Sequence, residues 1–182
     1  MKKVLIHFAD GFEEVEAITP VDVLRRAGCE VTTVSVTGKK EVTSTRGVSV
    51  LADMLFADVD YTKADLIVLP GGQPGSDNLN KHEGLKKQIR SFHDQGRMIA
   101  AICAAPLVLA SAGVLKGKRA TCYPGCESLL TGAICTGNAV EIDGNIITGR
   151  GPGLAMKFSL TLVEQLIGKS KADEVRKAMI AE

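Results

Sequence analysis

Of the five cysteines, Cys103 stands where a thiol can react: it closes the apolar run MIAAIC at 98–103 and is followed at once by AAP, the start of a helix. A side chain at such a junction is thrust out at the carboxyl end of its strand, where open α/β sheets bind ligands. A helix starting at Ala104, with Pro106 in its first turn, would turn its positive end toward the sulfur. That end lowers a thiol from about 8.5 toward neutrality, and the thiolate is the reactive form. An inert core cysteine is the ordinary alternative, and the residues on either side of Cys103 argue against it.

Glu16 is the second candidate. Helical spacing puts it on the line of Pro20 and Val23, beside Val15 and Ile18, both expected to be buried. A carboxyl facing inward there would be desolvated and stay protonated, ready to donate to a thiolate or pass a proton to a substrate. Complementing the helix dipole is the other role open to it, and it suffices for Glu13 and Glu14. Pro70-Gly71-Gly72 ends a strand. Glycines at such a point let bare amides approach a developing oxyanion, although a plain tight turn needs the same residues.

Other motifs argue against other chemistries. GRGPG at 149–153 lacks the spacing and lysine of a phosphate loop, and DGFEE after the first apolar run has no GxGxxG, so no nucleotide cofactor is expected. Cys122 and Cys126, with Cys135 beyond, are too loosely spaced for zinc and lack a fourth ligand, so no metal is expected. His7, His82 and His93 lie apart, and none reads as a catalytic base.

The elements that must position these residues alternate along the chain. VLIHFA at 4–9 is a continuous apolar run, residues 13–27 have helical spacing through Val15, Ile18, Val21 and Leu24 with Gly28 as cap, and EVTTVSV at 30–36 is β-branched. Pro20 is expected to kink that helix. A less regular stretch with a short strand after Thr45 leads to the apolar strand before Pro70. A helix near 81–95, the strand ending at Cys103, a helix from Ala104, a strand-like RATC, a hairpin at Asp143-Gly144 and two C-terminal helices complete the chain. Alternation of this kind specifies a doubly wound, mostly parallel sheet in an α/β sandwich, and 182 residues suit one domain across 1–182.

Composition narrows the partners. Twenty-two basic and 21 acidic residues, interspersed, leave a net charge of +1, too weak a field for nucleic acid as primary ligand. No stretch reaches the ~20 apolar residues of a membrane span. The apolar start stops at Asp10 without a cleavage site. An odd, irregular set of cysteines fits a reducing compartment, so cytoplasm is expected.

With these motifs in order, the chain resembles the DJ-one/ThiJ/PfpI family, nearest its parkinsonism-protein and bacterial homologue branch. The resemblance rests on FADGFEEVEAITPVDVLRRAG (8–28), TSTRGVSVLAD (43–53), LIVLPGG (66–72), AAICAAP (100–106) and TGRGPG (148–153). It implies a flavodoxin-like (class I glutamine amidotransferase-like) sandwich, usually a homodimer, with the family's oxidation-prone nucleophile on Cys103. The protonated glutamate that bonds it falls on Glu16, the pocket arginine on Arg46, the amide-bearing glycines on Gly71 and Gly72, and the RGPG loop starts at Arg150. Peptidase-like members carry histidine directly after the nucleophile, where this chain has Ala104. Other members place histidine before a proline across the pocket, where this chain has Tyr123, a poor base at neutral pH.

The expected activity is a cysteine-dependent, cofactor-free conversion of reactive dicarbonyls, glyoxalase- or deglycase-like, with amides near Gly72 and Ala104 holding the oxyanion. The alternative is a redox-sensing stress protein or chaperone in which Cys103 is oxidised to a sulfinate. Amidase, hydratase or peptidase chemistry ranks below both.

Overall fold

The computed structural model describes residues 1–181. Its elements run β1 (Lys3–Phe8), α1 (Glu14–Arg26), β2 (Glu30–Ser35), β3 (Glu41–Thr43), β4 (Ser49–Leu51), β5 (Met54–Leu55), β6 (Leu66–Leu69), α2 (Gly75–Lys81) and α3 (Glu83–Asp94). There follow β7 (Met98–Ile102), α4 (Pro106–Ser111), β8 (Arg119–Ala120), β9 (Ile134–Cys135), β10 (Val140–Asp143), β11 (Ile146–Gly149), α5 (Ala155–Leu166) and α6 (Lys169–Ala178).

Seven strands form one sheet in the order β10-β11-β7-β6-β1-β2-β5, parallel throughout except for the β10–β11 hairpin that closes at Gly144. The fold is a flavodoxin-like α/β sandwich. Apolar runs on β1, β6 and β7 follow from burial on both faces, since helices cover each side. On β1, Val4, Ile6 and Phe8 pack with buried residues of α1, α5 and α6, whereas Leu5, with Ala9 just past the strand, joins those of α2, α3 and α4. Side chains of a strand alternate between faces, so one strand serves both layers.

Several elements depart from expectation. The first helix buries Glu16, Ala17, Pro20, Val21, Val23 and Leu24, while Val15 and Ile18 are 50% and 43% exposed. Its inner face is thus rotated away from the apolar line through 15 and 18, because packing against α5 selects 17, 21 and 24 with Glu16 among them. It also runs unbroken through Pro20. Residues 75–81 form a helix of their own, which Pro74, Gly75, Ser76 and Asp77 conceal in the sequence. The helix expected from Ala104 begins at Pro106 and is only six residues long. Short strands β3, β5 and β9 are not foreseen in the sequence, whereas β8 falls in the strand-like RATC and β4 in the short strand expected after Thr45.

Candidate active site

Residue 103 sits one position past the end of β7 with φ of 66°, a region an L side chain rarely adopts. Two hydrogen bonds hold the peptide there: Cys103 N donates to Gly149 O (2.9 Å), and Cys103 O accepts from Tyr123 N (2.8 Å). Strain of this kind persists only where the surroundings over-determine it. The turn lifts the side chain off the strand line, yet the residue stays 9% exposed.

Glu16 is fully buried. Its Oε2 accepts from Gly71 N at 2.9 Å, and Oε1 has no nitrogen or oxygen partner. Gly71 lies between the two candidate groups: a Cβ there would come 2.5 Å from Glu16 Oε2 and 2.7 Å from Cys103 Cβ. Only glycine lets carboxyl and thiol meet. Gly72, at φ of 91°, has no room for a side chain either, since a Cβ would fall 2.5 Å from Glu13 N. The two amides divide the work, Gly71 serving the carboxyl and Gly72, with Ala104, the sulfur.

Burial pushes the Glu16 carboxyl up to about 7, opposed by its hydrogen bond with Cys103 and aided by the charge of Glu13. Burial likewise pushes the Cys103 thiol up, and the negative charge of Glu16 pushes it further, while the amides of Ala104 and Gly72 pull it down. A net lowering by the following helix, expected from the sequence, is therefore not what the site provides. That helix starts three residues on, and desolvation outweighs two amides. The groups titrate as a pair. Once the pair has lost one proton, its charge rests on carboxyl or sulfur according to the donors each finds. Two amides face the sulfur and one faces the carboxyl, and a proton on Oε1 would give that oxygen the partner it lacks.

The remaining candidates are placed differently. Tyr123 reaches Cys103 through its backbone, while its ring is 48% exposed and borders Gly151. Arg150 turns its guanidinium to Gly137 O (2.9 Å), bracing the loop before β10. Arg46 is exposed and is tied through its amide to Glu14 Oε1 (3.1 Å), which also accepts from Ser44 Oγ (2.6 Å). Neither arginine is bonded to Cys103 or Glu16.

Two residues named in the sequence take roles in the site that the sequence reading does not give them. Gly149 supplies the carbonyl that fixes Cys103, and a Cβ on it would meet Ile102 and Phe158 at 2.9 Å. Glu13 caps α1 through Oε2 on Glu16 N (2.8 Å). The second follows from an acidic residue placed just before the helix, and the first opens the GRGPG motif, whose glycines do not by themselves disclose a bond to Cys103. Among the described residues no group of three or more His, Cys, Asp or Glu could hold a metal ion, and no helix is long and apolar enough to cross a membrane.

Residues 2–165 match a family model described as the DJ-1/PfpI family. Protein DJ-1 homolog B of Arabidopsis thaliana is 48% identical over 176 residues, covering 96% of this chain and 40% of its own length, so the chain spans less than half of that relative. A deglycase of Pyrococcus abyssi is 35% identical over 153 residues, 83% of this chain and 91% of that one. Among solved structures, oxidized DJ-1 of Toxoplasma gondii superposes with a TM-score of 0.95 at 36% identity, covering 99% of this chain and 98% of that chain.

Proposed function

Because the chain belongs to the DJ-1/PfpI family, we propose that it is a cysteine-dependent enzyme of the glyoxalase or deglycase kind, acting on small reactive dicarbonyls. The observation that carries this reading is the contact of a strained, slightly exposed Cys103 with a fully buried carboxyl of raised pKa across a glycine that leaves room for both.

In the proposed cycle the Cys103 thiolate adds to the aldehyde carbon of a 2-oxoaldehyde. The carbonyl electrons move to oxygen, which takes the Glu16 proton to give a hemithioacetal. Amides around the sulfur, those of Gly72 and Ala104, hold the oxygen while it is charged. The Glu16 carboxylate then removes the hydrogen from that carbon to give an enediol and returns it to the neighbouring carbon, while the hemithioacetal hydroxyl proton passes to the neighbouring oxygen, leaving a 2-hydroxy thioester. Water releases the 2-hydroxy acid and restores the thiol. A carboxyl near 7 suits both proton transfers, because it is neither fully ionised nor fully protonated at working pH. Methylglyoxal supplied to the protein should yield lactate, read by enantiomer-specific dehydrogenase assay. A Cys103→Ser variant as active as wild type would eliminate the scheme.

A second reading is supported by the same amides, which could equally stabilise a sulfinate on Cys103, and by the oxidized state of the Toxoplasma relative. In that case low peroxide oxidises Cys103 ahead of Cys122, Cys126 and Cys135, as intact-mass and peptide analysis would show. The working unit is proposed to be a homodimer in the cytoplasm. Val15 and Ile18 present an exposed apolar face on α1, and Val48 joins it through Ser44, whose hydroxyl binds both Val48 N and Glu14. Sedimentation of wild type against Ile18→Glu tests that contact.

A further inference from the structure

Glu13, Glu16 and Gly71 are linked in a closed ring of hydrogen bonds. Glu13 N donates to Gly71 O (2.9 Å), Gly71 N donates to Glu16 Oε2 (2.9 Å), and Glu16 N donates to Glu13 Oε2 (2.8 Å). The ring fixes the Glu13 carboxylate beside the first turn of α1, close to the Glu16 carboxyl. It also sets the turn whose next residue, Gly72, offers its amide to the sulfur.

The groups that face Glu16 come from three elements: Glu13 from the foot of α1, Cys103 from beyond β7, and the Gly71 amide from beyond β6. Cys103 feels most strongly Glu16 itself and the amides of Ala104 and Gly72. Glu13 is among the groups that act on Glu16 and is not among the main ones that act on Cys103. A fixed negative charge beside the carboxyl raises the energy of the carboxylate form and leaves the thiolate form less affected.

We propose that Glu13 is a positioning residue of this site: its carboxylate, pinned on the Glu16 amide, drives the single negative charge of the pair off the Glu16 carboxyl and onto the Cys103 sulfur. The role rests on the reading that Cys103 and Glu16 are the reacting pair, and it extends that reading to the residue that selects which of them is ionised. In either the enzyme or the sensor, the reactivity of the sulfur is then set from outside the contact itself.

Charge and shape separate cleanly at this position. Glu13→Gln keeps an oxygen to cap the Glu16 amide and removes the charge, whereas Glu13→Asp keeps both charge and capping ability. Two measurements need no turnover: the carboxyl carbon of Glu16 followed by NMR against pH, assigned with Glu16→Gln, and the rate of Cys103 alkylation by iodoacetamide at neutral pH. In Glu13→Gln the Glu16 carbon should titrate at lower pH than in wild type, and alkylation should slow by about 3- to 10-fold, the effect of half to one pKa unit. Glu13→Asp should follow wild type. Glu13→Gln titrating and alkylating as wild type overturns the proposal, and so does an equal change in both variants, which would mark a purely structural role. Should the Gln variant not fold, Glu13→Ser supplies a neutral cap for the same comparison. Lactate formation is scored separately, so a chain inactive toward dicarbonyls still tests Glu13.

Discussion

His7 and Glu16 are both fully buried, both can carry charge, and they sit on opposite faces of the sheet with opposite outcomes. His7 lies in an aromatic nest, its Nε2 2.8 Å from the Tyr61 hydroxyl, with the rings of Tyr61 and Phe56 at 5.8 and 6.3 Å. Burial, with the neighbouring His82, lowers it to about 3, so it is neutral at any ordinary pH and faces nothing reactive. Glu16 is also neutralised by burial, but its pKa of about 7 leaves it half-titrated, and it faces a sulfur. Burial alone makes a group neutral. Chemistry needs, in addition, a partner able to take the charge.

Activity should separate the two most sharply. Glu16→Gln should reduce dicarbonyl turnover by about 10²- to 10⁴-fold, the usual loss of a general acid–base group, while His7→Asn leaves turnover of the folded protein within about threefold, a change worth less than ~1 kcal/mol. Equal losses in both variants would erase the distinction.

The pH dependence of stability sharpens it. The folded Glu16 is raised from 4.5 to about 7, so its contribution is fully present below 4.5 and is lost as pH rises through 7. The folded His7 is lowered from 6.5 to about 3, so its contribution is fully present above 6.5 and is lost as pH falls toward 3. Between 4.5 and 6.5 the two slopes oppose each other, each approaching ~1.4 kcal/mol per pH unit. Wild type should therefore show a nearly level chemical-denaturation midpoint across that interval. Glu16→Gln should lose stability on acidification, and His7→Asn should gain it. A variant that stays level would show that its removed group does not titrate as described.

Packing gives the next effect. Gly71→Ala should cost about 1–3 kcal/mol, because the new methyl overlaps both the Glu16 carboxyl and the Cys103 Cβ. Its turnover should fall more than its stability does. Tyr61→Phe, on the other face, removes the partner of His7 Nε2 and should cost about 1–2 kcal/mol by thermal melting, with turnover unchanged.

How far the residues disclose this arrangement varies along the chain. Strands buried on both faces announce themselves as apolar runs, so β1, β6 and β7 were legible, and with them the carboxyl ends that carry Gly71 and Cys103. Among the short strands, β4 and β8 fall in the stretch after Thr45 and in RATC, which read as strand, whereas β3, β5 and β9 owe their form to neighbours rather than to their own periodicity. On α1 the apolar pattern misleads at Val15 and Ile18, which the fold leaves exposed, while the line of Glu16, Pro20 and Val23 is buried as the spacing predicts. The site pair was legible in its residues and in the raised carboxyl of Glu16, but not in the thiol. Proximity to a helix start predicts a depressed thiol, and only the packed fold brings the desolvation that outweighs it.

The backbone of residue 103 has a consequence for the history of such a chain. At φ of 66° a glycine would sit without backbone strain, giving up in exchange the packing of one small buried side chain. The backbone there is thus strained on behalf of the sulfur. A descendant released from the need for that sulfur would be expected to drift there first, leaving a sound scaffold with an idle pocket.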